Sequence, residues 1–587
     1  MKMPAWVKRI SPLAGTIREY RRDQFLGDLI AGIIVAIMLI PQAMAYAMLA
    51  GLPPQVGLYA SIVPLVLYSV FGSSNSLAVG PVAMVSLLVL SGVSEHATPG
   101  TSEYIGLCLT LALLVGVLQI VMAAFRLGFL VNFISHPVLV GFTSAAAVVI
   151  GVSQVKHLIG VPVESSEYPI QSIANTFSAL GNFNGTTLAI GLASFFALVA
   201  FAYGVRPLLK AFGVSENAAS TIAKIGPLVT VVLASSVVYA GQLNHRRSIG
   251  VVGEIPSGLP GITMPEMGWA AIRALLPLAL LITLVGYLES ISVAKALASR
   301  KREKVDANRE LFALGMADIG AAFTGGYPVT GGFSRSMVNY SAGCSTPLGS
   351  VYTALLVAFS VSFLTPLFYY IPNAVLAAII VVAVVPLVDL KAPFKLWAYS
   401  RADCLALVAT FVAALAGGIE SGILVGVVTT IVLMMWKMSR PHVAEVGRVG
   451  TTEHFRNVNR YKVHTTPGVF AFRVDESLNF ANAPFLDSYI MEQIADHPTI
   501  RNVLLISSGI NDVDATGLEV LETIRRELEL IGVGFYMSDV KGPVTDRLQL
   551  AGFDDAFLNE HIFMSADEAM RHLLSTEIPP PDKRNGT

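Results

Sequence analysis

Two short stretches of this chain interrupt apolar sequence with glycine, proline and hydroxyl residues. One is SSNSLAVGPVAMVSLL, residues 73–88; the other is GGYPVTGGFSRSMVNY, residues 325–340. A helix that starts inside such a stretch leaves its first backbone N–H groups unpaired and carries part of the macrodipole's positive charge there. Two such starts facing one another form an anion site without a basic side chain, and Gly80, Gly331 and Gly332 let a ligand approach the backbone closely. The same glycines would also suit tight helix packing. Arg335 lies within the second stretch, where a charge is costly unless it meets a polar cavity or a partner. It reads either as a fixed positive charge for an anion or as half of an ion pair with Glu289 or Asp318. Thr330 and Ser334 add hydroxyl donors nearby. Glu289 interrupts another apolar run, and a carboxylate at membrane depth can exchange a proton or hold a cation. Gln42 and Tyr46, one helical turn apart in IPQAMAYA, place an amide and a phenol on one helix face.

The elements that must position these residues are membrane helices. Hydrophobic residues make up 54% of 587 and charged residues only 13%, with mean hydropathy +0.65; soluble domains carry roughly a quarter charged residues. The charges are segregated: none falls between Leu29 and Ser94 or between Thr346 and Val388. A spanning helix needs about 20 apolar residues, so each of those stretches holds more than one. Apolar runs occur seven times before residue 244 and seven times from Ala274 to Trp436. Lys and Arg cluster before the first run (Lys8, Arg9, Arg18, Arg21, Arg22), after the eighth (Arg300, Lys301, Arg302, Lys304), between the twelfth and thirteenth (Lys391, Lys395, Arg401) and after the fourteenth. With fourteen spans all of these fall on one side, which the positive-inside rule makes cytoplasmic; Arg246 and Arg247 break the pattern. The two glycine- and proline-broken stretches are the third and tenth runs, at equivalent places in two halves, the pattern of an inverted-repeat transporter with discontinuous helices. The N-terminal segment lacks the apolar core and cleavage site of a signal peptide and reads as a cytoplasmic stretch.

After Arg440 the pattern becomes β/α. Strands are expected at Val469–Val474, Val503–Ser507 and Gly534–Met537, with helices near 484–494, 517–529 and 545–551. Asp514 and Thr516, in DATGL at the start of the middle helix, suit helix capping and also an exposed phosphorylatable hydroxyl. Cys108, Cys344 and Cys404 show no metal spacing and read as core residues. The chain has no Walker loop, GxGxxG or HExxH, so neither an ATPase nor an enzyme, and no cofactor, is indicated. The net charge of -1 does not point to nucleic acid.

At IPQAMAYAMLAGLPPQVGLYAS (40–61) and FGSSNSLAVGPVAMVS (71–86) the chain resembles the SulP anion transporters, related to the solute carrier 26 proteins. GEIPSGLP (253–260), GGYPVTGGFSRSMVN (325–339) and NDVDATGLEVL (511–521) extend the resemblance. It implies an α-helical polytopic membrane protein, fourteen spans in a seven-plus-seven inverted repeat divided into core and gate domains, with a small cytosolic α/β STAS domain, assembled as a homodimer. It implies that Gln42, Tyr46, Val79, Gly80, Pro81, Phe333, Ser334 and Arg335 line an anion pocket, beside Gly332, and that Glu289 couples transport to protons, or to sodium. It also implies that Thr516, beside Asp514, occupies the place of a phosphorylated hydroxyl, and that a cytosolic protein binds the STAS domain.

The expected organisation is a cytoplasmic segment (1–24), a transporter domain (25–438), a linker (439–460), a STAS domain (461–575) and a disordered tail (576–587). The expected activity is proton-coupled sulfate symport across a bacterial inner membrane, with C4-dicarboxylate or bicarbonate as alternative anions. A membrane sensor signalling through STAS without transport is the alternative of another class.

Overall fold

Proline and polar caps set where the helices of this computed structural model begin. It describes residues 20–129, 135–161, 183–553 and 555–577, with isolated positions between 13 and 181. Most of the expected 1–24 segment, and residues 578–587 of the expected tail, lie outside the described residues.

The N-terminal unit, residues 1–430, is helical. Its helices include α1 (Arg22–Leu49), α2 (Pro54–Tyr59), α3 (Val63–Phe71), α4 (Ala83–Ser94), α5 (Ser102–Ala124), α6 (His136–Ile159), α7 (Gly185–Val199), α8 (Gly226–Gly241) and α9 (Trp269–Lys301). They continue as α10 (Ala307–Phe323), α11 (Phe333–Ser341), α12 (Leu348–Phe363), α13 (Asn373–Val384), α14 (Arg401–Gly417) and α15 (Ile419–Met438), the last running into the second unit. Every one of the fourteen apolar runs carries a helix. Starts follow ordinary chemistry: Pro54 and Pro137 sit in the first turn of α2 and α6, where the missing N–H costs nothing, while Asn184 and Asp306 accept backbone N–H groups at the starts of α7 and α10.

Eight helices among the described residues are long and apolar enough to cross a bilayer, and the chain is a multi-pass membrane protein. Phe125, Phe196, Leu233 and Phe363 are exposed on this unit, as lipid-facing side chains are. Inside, small residues let backbones meet. A Cβ on Gly116 would lie 2.8 Å from the Gly315 carbonyl, and one on Gly315 would lie 2.7 Å from that of Gly116, so α5 and α10 pack at backbone contact. Helices α4 and α11, which start in the two glycine- and proline-broken stretches, are too short to span. At 12 and 9 residues they rise only about 18 and 14 Å at ~1.5 Å per residue, half a bilayer or less.

The second unit, Ile431–Thr587, is an α/β domain. Its strands are β3 (Val443–Arg448), β4 (Phe455–Asn457), β5 (Val469–Val474), β6 (Asn502–Ile506), β7 (Gly534–Ser538) and β8 (Ile562–Phe563), following the two short strands β1 (Val79–Gly80) and β2 (Thr330–Gly331) of the membrane unit. The sheet order is β4-β3-β5-β6-β7-β8, with β5 to β8 parallel and β3 antiparallel to both neighbours. Successive strand residues point to opposite faces: Phe470, Phe472, Val503, Leu505 and Met537 join one core, Ala471, Leu504 and Ile506 the other. Helices α16 (Ala483–Asp496), α17 (Ala515–Leu530), α18 (Gly542–Leu550), α19 (Asp555–Glu560) and α20 (Ala566–Glu577) complete the domain.

The expected linker at 439–460 differs: β3 and β4 lie within it and belong to the sheet. β3 alternates buried and half-buried residues (VAEVGR), too weak an apolar pattern to be read as a strand without its partner β5. The expected tail differs at its start, since α20 runs to Glu577.

Candidate functional site

The two glycine- and proline-broken stretches meet. β1 and β2 pair antiparallel, Val79 opposite Gly331 and Gly80 opposite Thr330, and each leads directly into a short helix. Gly80 has φ +155°, a conformation that residues with a side chain rarely adopt. Neither helix start carries a side-chain cap: Val82 precedes α4 and Gly332 precedes α11, both extended. The first backbone donors bonded at each start are Ser86, to Val82 O, and Ser336, to Gly332 O. The three N–H groups before each therefore have no acceptor within their helix.

A hydroxyl network fixes the crossing. Ser290 of α9 accepts the Gly331 N–H (2.8 Å) and lies 2.5 Å from the Thr330 hydroxyl, which donates to Gly286 O (2.6 Å). Because Thr330 spends its hydrogen on that carbonyl, Ser290 donates to Thr330. Ser336 donates to Gly332 O (2.7 Å) and accepts from Ala78 N (2.9 Å), and Asn339 donates to Ser76 O (3.2 Å). Sequence reasoning missed Ser290, Ser336 and Asn339; their only trace is position, next to Glu289 and one turn along from Gly332 and Arg335.

Arg335 reaches from α11 across to the other half. It is 2% exposed, and its Nη1 donates to Pro81 O at 2.5 Å, just ahead of α4. Its Nε and Nη2 have no hydrogen-bond partner, and among the described residues no carboxylate lies within ion-pair distance. Asp318, offered by sequence as a partner, instead accepts the Val329 N–H at 2.7 Å. A Cβ on Gly332 would lie 2.9 Å from Nη2, and one on Gly80 3.5 Å from it, so these glycines leave room beside the guanidinium. Tyr46, Glu289 and Tyr327 are close enough to interact electrostatically with Arg335.

The other expected residues divide. Gln42, Tyr46, Val79, Gly80, Pro81 and Gly332 are buried, with α1 packed against α4 and α11. Glu289 lies on α9, half-buried, with Oε2 unpartnered. Phe333 and Ser334 are exposed on the first turn of α11. In the soluble unit Asp514 caps α17, accepting the Gly517 N–H at 2.8 Å, and also accepts Phe480 N at 2.8 Å. Thr516 is half-buried on the first turn.

Comparison with known proteins decides the family. The sulfate permease family profile matches residues 25–410, and that of the STAS domain matches 460–569. The chain belongs to the sulfate permease family. This sulfate permease family member is similar to sulfate transporter 4.1, chloroplastic, of Arabidopsis thaliana, 36% identical over 98% of this chain and 84% of the relative. It is similar also to high affinity sulfate transporter 2 of Stylosanthes hamata, 31% identical over 96% and 86%. Among solved structures, murine solute carrier 26 family member A9, an anion transporter in the inward-facing state, superposes with TM-score 0.87 at 23% identity, over 98% of this chain and 95% of that one. The transmembrane domain of the cyanobacterial bicarbonate transporter BicA gives 0.57 at 20%, over 70% and 98%. These two likenesses bear on the fold alone, the first across nearly the whole chain and the second across the membrane domain.

Proposed function

We propose that this sulfate permease family member is a secondary active anion transporter whose leading substrate is sulfate, held between the starts of α4 and α11. The observation that carries the proposal is the buried guanidinium of Arg335, with two unsatisfied nitrogens beside two uncapped helix starts. An unpaired buried cation costs several kcal/mol, and an anion in this place would remove that cost by accepting from Arg335 and from the orphan N–H groups. Sulfate transporters among the relatives favour sulfate over C4-dicarboxylates and bicarbonate. Gln42 and Tyr46 of α1 would close the pocket, with Phe333 and Ser334 at its edge.

Glu289 would couple transport to a proton. Its carboxylate has an unpartnered oxygen on the helix that also supplies Ser290, so protonation there and occupancy of the crossing share one helix. Fourteen spans in two inverted halves would rock a core against a gate, with both termini cytoplasmic.

The test is uptake of radiolabelled sulfate, succinate and bicarbonate into proteoliposomes, with and without an inward proton gradient, in wild type and Glu289→Gln. Saturable uptake of one anion that follows the gradient, and loses that dependence in Glu289→Gln, is the expected result. Folded protein that takes up none of them ends the transporter reading and leaves a sensor acting through the STAS domain.

A further inference from the structure

The soluble unit contains a charged hollow that the transport site does not use. A cavity of about 330 Å³ is lined by Arg456, Arg460, Arg473, His442, Tyr461 and Asp475, together with Asn457. The sheet order creates it. Its lining comes from strands on either side of β3: Arg456 and Asn457 from β4, and Arg473 from β5. At the end of β4 the chain turns tightly: Asn457 accepts the Asn459 N–H on its side chain (2.7 Å) and those of Arg460 and Tyr461 on its carbonyl (3.1 Å each). That turn presents Arg460 and Tyr461 beside Arg456.

The charges in this hollow do not balance. Asp475 is its one carboxylate, and it is engaged by Arg473 Nε at 2.5 Å and Nη2 at 3.2 Å and by His442 Nδ1 at 2.8 Å. Arg456 donates to the carbonyl of its own neighbour Phe455 (3.1 Å), and neither it nor Arg460 has a carboxylate at ion-pair distance among the described residues. Three arginines against one aspartate leave an excess of two positive charges before His442 is counted. Guanidinium groups are planar forks that fit phosphate oxygens two at a time, and two uncompensated forks suit a doubly charged phosphate.

Chain length bounds how far His442 can lie from the last apolar helix. His442 follows Met438, the last residue of α15, by four residues, which span at most about 14 Å. Trp436 lies near that helix end with Arg440 stacked on it at 4.8 Å, and aromatic and basic residues at the end of an apolar helix mark the headgroup layer.

We propose that this hollow is a binding site for a phosphate monoester, and that the four-residue link from α15 to His442 favours an anionic phospholipid headgroup over a free phosphate. The test uses the full chain in an uncharged detergent, titrated with dioctanoyl phosphatidic acid, with dioctanoyl phosphatidylcholine as the neutral lipid and glycerol 3-phosphate as the free monoester. Saturable binding of phosphatidic acid but not phosphatidylcholine is expected, weakened about tenfold or more in Arg456→Gln/Arg460→Gln through loss of charge-assisted hydrogen bonds. It should be weakened less in Arg460→Gln alone, a change at an exposed position that leaves folding intact, and unchanged in Arg501→Gln/Arg526→Gln, which removes equal charge elsewhere on the domain. Equal competition by glycerol 3-phosphate identifies a soluble ligand and its failure identifies the lipid; both sustain the phosphate site. Absence of binding, or equal binding in wild type and the Arg456/Arg460 variant, or an equal fall in the Arg501/Arg526 variant, overturns it.

Discussion

Arg335 is the residue on which the transport reading turns, because its geometry divides its donors. Nη1 is tied to Pro81 O, which holds the side chain across the two halves, while Nε and Nη2 remain for a ligand. Hydrogen bonds to charged groups contribute about 1.5–3 kcal/mol, so Arg335→Ala should lower sulfate affinity by roughly 10- to 100-fold, measured by titration of the detergent-solubilised protein. Arg335→Lys keeps the charge but has no fork to bond Pro81 and an anion together, and should fall between. Unchanged affinity in both variants would remove Arg335 from the site. Ser290 calls for a different readout. It accepts the buried Gly331 N–H, and an orphaned buried donor costs about 1–3 kcal/mol. Ser290→Ala should therefore reduce both the melting temperature and the affinity, whereas Arg335→Ala, which removes an unsatisfied buried cation, should leave the melting temperature unchanged or raise it.

At the scale of elements, the short paired strands and the half-helices they launch are what place these side chains. Glycine and proline at equivalent places in the two halves made the discontinuous segments legible in the sequence. The hydrogen bonds that join them were not legible, because Ser290, Ser336 and Asn339 are separated from their partners by up to 263 residues. The same reason hid β3, whose half-buried sequence becomes a strand only beside β5, and β4, which becomes one only beside β3. Helix packing offers a sharper test. The reciprocal backbone contact of Gly116 and Gly315 leaves no room for a methyl group on either helix, and overpacking of this kind costs about 1–3 kcal/mol. Gly116→Ala and Gly315→Ala should each lower the melting temperature. Together they should lower it by less than the sum, since separating α5 from α10 once relieves both clashes. Strict additivity would show that the helices do not meet there. On α17 the test is pH. The bonds that Arg525 and Arg526 donate to Glu522 outweigh its burial and hold its carboxyl below the ordinary value. A depressed folded pKa gives stability that is present above the unfolded value near 4.3 and is lost as pH falls through the folded one. Glu522→Gln should speed hydrogen exchange in α17 at pH 7 and leave it equal to wild type once both are below that range; an equal effect at both pH values would refute the pairing.

Across the whole molecule, the described buried side chains sort into separate cores. One large cluster runs from Leu39 to Ile423, and the clusters of the second unit draw on Val446 to Leu573. A unit that buries its own core is able to fold by itself, and every residue assigned to the anion crossing, with Glu289 and its hydroxyl network, lies in the first. A chain ended after Arg440 keeps α15 entire and removes only the α/β domain. It should remain monodisperse in detergent, with a melting temperature within a few degrees of the full chain, and should bind sulfate with unchanged affinity. Its phosphatidic acid binding should vanish, because Arg456, Arg460 and Arg473 go with the second unit. Loss of sulfate binding from a truncated chain that still melts cooperatively would mean that the STAS domain holds the crossing in its binding geometry. Both ligands retained would place the phosphate-binding residues in the membrane unit. The opposite responses of the two ligands to one cut are therefore the decisive comparison, since general destabilisation would weaken both together.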